Sequence, residues 1–271
     1  MAIAEGPGWS LSEYHCSAGP TDRPFEEIHE GVSLSLVTAG TFDYRTAAGS
    51  AVLYPGAFLL GNAGECFECG HSHSVGDRCL ALHVSSEEFQ ELAATVAGYS
   101  RFKFKAPILP AHPALTPAAV SLQALAGEED SRACAAVYEL LESVVGLMAG
   151  SSPGGPPVRV VDQKRVLKVL HHLEHADSER GSLSDLAALA RMSKYHFLRI
   201  FRRVTGTTPH QYVLAMRMRR AALKLARTRE PIAVLALAAG FEDVSTFNRY
   251  FRRDLKLTPS AYRKKYFRNA M

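Results

Sequence analysis

Long apolar runs are missing from this chain. The longest, Pro231 to Phe241, is about half of the ~20 residues that a membrane span requires, so no membrane partner is expected. Met1 to Ser10 carry neither a basic patch nor an apolar stretch, and without a visible secretion signal a cytoplasmic location is expected. Cysteine is scarce and odd in number: Cys16, Cys66, Cys69, Cys79 and Cys134. Five scattered thiols do not form a disulfide framework; in the cytosol such residues are reduced, metal-bound or redox-active. Nucleophile elbows, phosphate loops and paired carboxylates in a recognisable context are also missing, so the expectation is a protein that is not an enzyme.

What is present is an asymmetry of charge. The net charge of +4 conceals a C-terminal part, from Val158 onward, with 24 Lys and Arg against 9 Asp and Glu. Residues 1–157 hold 7 against 18. An acidic half joined to a basic half points to one domain that meets a polyanion and one that does not. The sign changes across Gly150-Ser-Ser-Pro-Gly-Gly-Pro-Pro157, where glycine and proline deny both helix and ladder. The 271 residues therefore divide into an acidic domain over 1–149, a linker over 150–157 and a basic domain over 158–271.

The fold class expected is α+β. Strands are predicted at Val32–Val37, Phe42–Arg45, Ser50–Tyr54, Phe58–Gly61 and Cys79–Val84, punctuated by Gly, Asn and Asp. They suit a small antiparallel barrel or sandwich over about 28–85. Residues of about 86–149 turn helical, with Ser86 as a cap-like start and further helices near 117–126 and 132–149. The apolar faces of those two helices fit packing on the barrel or a homodimer contact. After the linker the chain reads as all-α, with helices near 158–176, 184–190, 194–204, 209–228, 232–239, 244–254 and 259–267. Pro209, Pro231 and Pro259 each fit a first-turn position.

The basic part repeats itself at an offset of 50. Phe197, Arg199, Phe201, Arg202 and Arg203 recur as Phe247, Arg249, Phe251, Arg252 and Arg253, and Thr208-Pro209…Tyr212 recurs as Thr258-Pro259…Tyr262. Each long helix follows a short alanine-rich one, Leu186–Ala190 and then Leu235–Ala239. That is one helix-turn-helix unit used twice. A basic bundle with solvated arginines would not require identical aromatic and arginine positions in both copies. Helical periodicity turns Phe197, Ile200, Phe201 and Val204 inward, and Phe247, Tyr250 and Phe251 likewise. The opposite faces carry Tyr195, Leu198, Arg199 and Arg202, then Ser245, Asn248, Arg249 and Arg252. Arginine bonds guanine bidentately and asparagine does so with adenine, so these faces suit the major groove of double-stranded DNA. A connecting helix of about 20 residues spans roughly 30 Å, close to the ~34 Å between successive major grooves on one face of the duplex.

Residues from about Val158 to Phe267 resemble the DNA-binding domain of the AraC/XylS family of transcription regulators. The resemblance is carried by Ile232-Ala-Val-Leu-Ala-Leu-Ala-Ala-Gly-Phe241, Phe247-Asn-Arg-Tyr-Phe251 and Thr258-Pro-Ser-Ala-Tyr-Arg263. It implies base reading by Tyr195, Leu198 and Arg199, then by Val244, Ser245, Asn248 and Arg249, with RNA polymerase as a partner. Leu198 and Val244 cannot hydrogen-bond a base edge, which leaves contact with thymine methyl groups. Lys194, Arg202, Arg203, Arg252, Arg253, Lys264 and Lys265 are expected at phosphates, where they supply affinity rather than sequence. Two positions depart from the family: Arg191 stands in the first turn where Gly240 stands in the second, and Glu242 and Asp243 open the second recognition helix as candidate caps.

The family's layout implies a cupin-like β-barrel as effector or dimerisation module in the N-terminal half, and Val52-Leu-Tyr-Pro-Gly-Ala-Phe58 resembles a turn of such barrels. There Cys66, Cys69, His71, His73 and Cys79 form a dense cluster with Asp77 and His83 nearby. Such donors suit zinc or another transition metal, held tetrahedrally. Redox sensing by free thiols, and buried cysteines with polar loop histidines, are the competing readings. The input would be a small-molecule effector, a metal or a redox change. Two further alternatives are a metal-dependent cupin-type enzyme fused to a DNA-targeting domain, and an alkylation sensor with a zinc-bound cysteine, for which the spacing of Cys66, Cys69 and Cys79 is unsuited.

Overall fold

The computed structural model describes residues 1–71, 75–98, 101–124, 131–149, 158–175 and 182–267. Its strands are Ala2–Gly6 (β1), Trp9–Cys16 (β2), Phe25–Ile28 (β3), Val32–Gly40 (β4), Phe42–Thr46 (β5), Gly49–Leu53 (β6), Phe58–Gly61 (β7), Cys66–Gly70 (β8), Asp77–Val84 (β9) and Ile108–Leu109 (β10). They form a six-stranded sheet in the order β1-β2-β9-β4-β7-β10 and a four-stranded sheet in the order β3-β8-β5-β6. All ladders within them are antiparallel. The expected barrel span of about 28–85 starts too late. Trp9-Ser10-Leu11-Ser12 alternates as a half-buried strand should, and β2 pairs with β9 along its whole length.

Period-two alternation explains how β4 and β9 lie buried on both faces. Leu34 and Leu36 of β4, with Leu80, Leu82 and Val84 of β9, turn to a core completed by helices Ser86–Ala97 (α1), Thr116–Ala124 (α2) and Ser131–Ala149 (α3). The helices expected near 117–126 and 132–149 therefore pack on the sheet. On the other face, Val37 and Cys79 meet Phe42, Tyr44, Leu53 and Cys69 of the four-stranded sheet. Polar side chains are buried there or beside it as well: Ser33, Ser35, His29 and His71. Ser85 rather than Ser86 caps α1, because its hydroxyl accepts from the Glu88 amide at 3.2 Å.

The C-terminal part is helical as expected: Val160–His175 (α4), Leu183–Leu189 (α5), Lys194–Thr205 (α6), Pro209–Arg227 (α7), Ile232–Ala238 (α8), Val244–Leu255 (α9) and Pro259–Tyr266 (α10). Local sequence dictates most of the ends. Ser182 with Asp185, and Thr208 with Gln211, make reciprocal capping boxes, and Pro209 and Pro259 occupy first-turn positions. Pro231 lies one step earlier, at the cap of α8 itself, and makes no side-chain cap bond.

The two halves are packed together. One buried cluster runs from Tyr54 and Leu59 of the β-unit into Val166, Leu170, Phe197 and Phe201. A second joins Val120 of α2 to Met218, Phe247 and Phe251. Polar contacts accompany them: Glu174 accepts from the Gly40 amide at 3.1 Å, and the Arg227 guanidinium donates to the Gln123 carbonyl at 2.9 Å. The residues expected as a linker, 150–157, lie outside those described.

Candidate nucleic-acid interface

Helix α6 begins where Ser193 accepts from the His196 amide, and α9 begins where Asp243 accepts from the Thr246 amide at 2.7 Å. Asp243 is thus engaged in its own helix as a cap, and that bonding holds its carboxyl below the usual range. Each helix buries one apolar stripe. Phe197, Ile200 and Phe201 are buried in α6, and Phe247, Phe251 and Leu255 in α9. Val204 and Tyr250, also expected inward, are only half-buried.

The opposite stripes face solvent. Tyr195 is 87% exposed, Arg199 is exposed and Leu198 half-buried beside it. In the second unit Val244, Ser245, Asn248 and Arg249 are all exposed. Asn248, Arg249, Arg252 and Arg253 line one open recess with Thr258. Helix α7, between the units, has 19 residues and so spans about 28 Å.

The arginines are not equivalent. Arg199 lies 3.1 Å from His196 Nδ1, and His196 Nε2 lies 3.6 Å from Asp162 of α4, which also meets Arg165. Arg199 therefore stands on a polar chain that reaches the neighbouring helix. Arg253 donates to both carboxylate oxygens of Asp254 and lies 4.6 Å from the Tyr250 ring centroid, so its charge is already partly answered within the chain. Lys194, Arg202, Arg203, Arg252, Lys264 and Lys265 are exposed along the outer surface.

The turn geometry accounts for the departure at Arg191. Gly240 ends the first helix of the second unit at φ 79°, and Arg191 occupies the corresponding turn at φ 51°. Both positions require the left-handed region, which costs an L-residue with a Cβ roughly 1–2 kcal/mol. The turns after α6 and α9 show the reverse pairing of ease and strain, with Gly206 at φ 73° and Lys256 at φ 60°.

A family model described as a helix-turn-helix domain matches residues 186–265. The Transposon Tn10 TetD protein of Escherichia coli is 38% identical over 96 residues, which are 35% of this chain and 70% of that protein. The chain belongs to the AraC family of transcription regulators. Another AraC-family relative, the transcriptional regulator Rob of Salmonella typhimurium, is 35% identical over 105 residues, which are 38% of this chain and only 36% of Rob. A solved AraC-type regulator from Chromobacterium violaceum is 27% identical, covers 40% of this chain and 96% of its own, and superposes with a TM-score of 0.37. Like other members of the AraC family, this chain is a DNA-binding transcription regulator. The alternative of a metal-dependent enzyme finds no support among these relatives. No described helix is long and apolar enough to cross a membrane.

The cysteine–histidine cluster of the N-terminal half is rearranged by the strands. Cys66 is exposed and pairs with Ile28 at one end of β8, whereas Cys69 is buried near the other. Three positions apart on a strand, they face opposite sides about 10 Å from each other, so the Cys-x-x-Cys spacing does not chelate here. His73 lies outside the described residues. Cys79 is buried and its thiol lies 3.2 Å from Asp77 Oδ1. The fold brings Cys16, His71 and Asp77 together, with their ligating atoms all within 4.8 Å of one another. Cys16 was not among the expected donors, because only the β2–β9 ladder places it opposite Asp77. Burial, with the charge of Asp77, pushes the thiols of Cys69 and Cys79 well above the usual range.

Proposed function

We propose that this regulator reads a bipartite DNA site, with the outer faces of α6 and α9 in successive major grooves of one face of the duplex. The observation that carries this is the repeat: two capped helices at an offset of 50 present matching arginines at Arg199 and Arg249, joined by a helix of about 28 Å. Tyr195, Leu198 and Arg199 read one half-site; Val244, Ser245, Asn248 and Arg249 read the other. Lys194, Arg202, Arg203, Arg252, Lys264 and Lys265 hold phosphates, and Arg253 does so less because Asp254 shares its charge.

The N-terminal half grips both units, the first through Tyr54 and the second through Val120 and Ser121. A ligand, metal or redox change there would alter the relative placement of the two recognition helices, and so the affinity for a site of fixed spacing. Enrichment of genomic fragments on the full-length protein at physiological salt, followed by sequencing, tests the reading. Discrete sites with half-sites about one helical turn apart are expected. Diffuse binding by both the full chain and its 158–271 fragment would overturn it.

A further inference from the structure

The β-unit holds a donor set that the DNA-binding reading does not use. In the β2–β9 ladder Cys16 stands directly opposite Asp77, so both side chains leave the same face of the six-stranded sheet. Cys79, two residues along β9, shares that face. His71 reaches the same spot from the end of β8 in the other sheet. Its Nε2 lies 2.6 Å from Asp77 Oδ2, and the two side chains are only 2% and 9% exposed. Asp77 is thus a nearly dry carboxylate touched by an imidazole through one oxygen and by a thiol through the other.

We propose that Cys16, His71 and Asp77 bind a divalent metal ion of borderline softness, of the zinc class, with Cys79 as the adjacent fourth donor. Sulfur, imidazole nitrogen and carboxylate oxygen together are the ligand types such an ion takes, and the set is too soft for calcium or magnesium. Ligand atoms around tetrahedral zinc stand roughly 3.3–3.8 Å apart. The three donors here are all within 4.8 Å, so side-chain adjustments of about 1 Å assemble the site. A cation is also what a buried carboxylate requires: among the described residues, Asp77 is contacted by the His71 imidazole and the Cys79 thiol.

Access exists as well. His71 lines an open groove of about 490 Å³ together with Asp22, Asp43, Glu68 and Arg45, of which Glu68 and Arg45 pair at 3.5 Å. Lys164 of α4 lines the same groove, which sets the site beside the first helix of the DNA-binding part. The site replaces the expected Cys66–Cys69 pair, which the strand splits between two faces, and it makes no use of Cys66.

The test uses the full chain, reduced and freed of metal by a chelator. Zinc is titrated against a chromogenic chelator, and cobalt(II) is added separately as a spectroscopic stand-in. One zinc per chain is expected, and the cobalt form should show a thiolate-to-cobalt charge-transfer band with the intense visible absorption of tetrahedral coordination. Cys16→Ser should weaken that band and lower zinc affinity by at least about tenfold, and Asp77→Asn should do the latter. Cys66→Ser should change neither. Cobalt binding without a thiolate band, or zinc binding equal in the wild-type and both site variants, would overturn the proposal. The cobalt spectrum needs no variant to fold, and neither readout involves DNA, so failure here leaves the reading of the recognition helices standing.

Discussion

The Tyr212 hydroxyl donates to the Pro55 carbonyl at 3.0 Å, a buried bond that ties the long helix between the two recognition units to the turn between β6 and β7. Tyr54, beside Pro55, meets Tyr212 edge-on with ring centroids 6.0 Å apart and donates to the Val204 carbonyl at 3.5 Å. Burial holds both phenols well above their usual range, so neither ionises in working buffers. Tyr212→Phe keeps the ring and leaves the Pro55 carbonyl without this donor. A loss of about 1–2 kcal/mol in unfolding free energy is expected. An unchanged denaturation midpoint would show that the bond contributes nothing to the docking of the halves.

Arg191 at φ 51° predicts a gain from glycine. Arg191→Gly removes the left-handed cost but adds freedom to the unfolded chain, leaving about 0.5–1 kcal/mol of added stability. Lys256→Gly should gain less, because the Lys256 ammonium donates to the Arg253 carbonyl at 3.0 Å and that bond is lost. Denaturant midpoints of the two variants check the order.

His29 makes the N-terminal half sensitive to acid. Its ring stacks on Phe67 at 4.1 Å and lies 2.7 Å from the Tyr44 hydroxyl. Burial first, then the His83 imidazole, push its pKa down from 6.5 to about 4, against a smaller upward pull from Glu65. Between those values the unfolded chain takes up a proton that the folded chain refuses, so stability falls as pH drops from about 6.5 towards 4. Burial lowers His83 in the same direction. The pH slope of unfolding free energy in that window should be shallower in His29→Gln; an identical slope would acquit His29.

On DNA, Arg249→Ala should cost about 1–3 kcal/mol at a cognate site and relax one base position, whereas Lys264→Ala should weaken all sequences alike. Equal losses for Arg249→Ala on cognate and random duplexes would remove it from the base readers.

Much of the C-terminal part is legible in the chain because its determinants are local. Caps at Ser182, Ser193, Thr208, Asp243 and Thr258 lie within three residues of the amides they satisfy. The inward Phe197, Phe201, Phe247 and Phe251 follow from a period of 3.6. Even the strain at Arg191 is visible by comparison with Gly240 at the matching turn.

The N-terminal half is less legible, since strands take their partners from afar. The sequence by itself determined the strand content after Val32, the acidic charge, the cysteine supply and the repeated unit that marks a DNA-binding regulator. Tertiary structure alone decided that Cys16 meets Asp77 across 61 positions of chain, that Cys66 is turned away, and that Ser33 and Ser35 lie buried between sheets. It also decided that Tyr54 and Val120 anchor the two recognition units to one β-unit. The physical reason is range: a helix closes its hydrogen bonds within four residues, whereas a ladder's register and the docking of two halves depend on surfaces that exist only once the chain has folded.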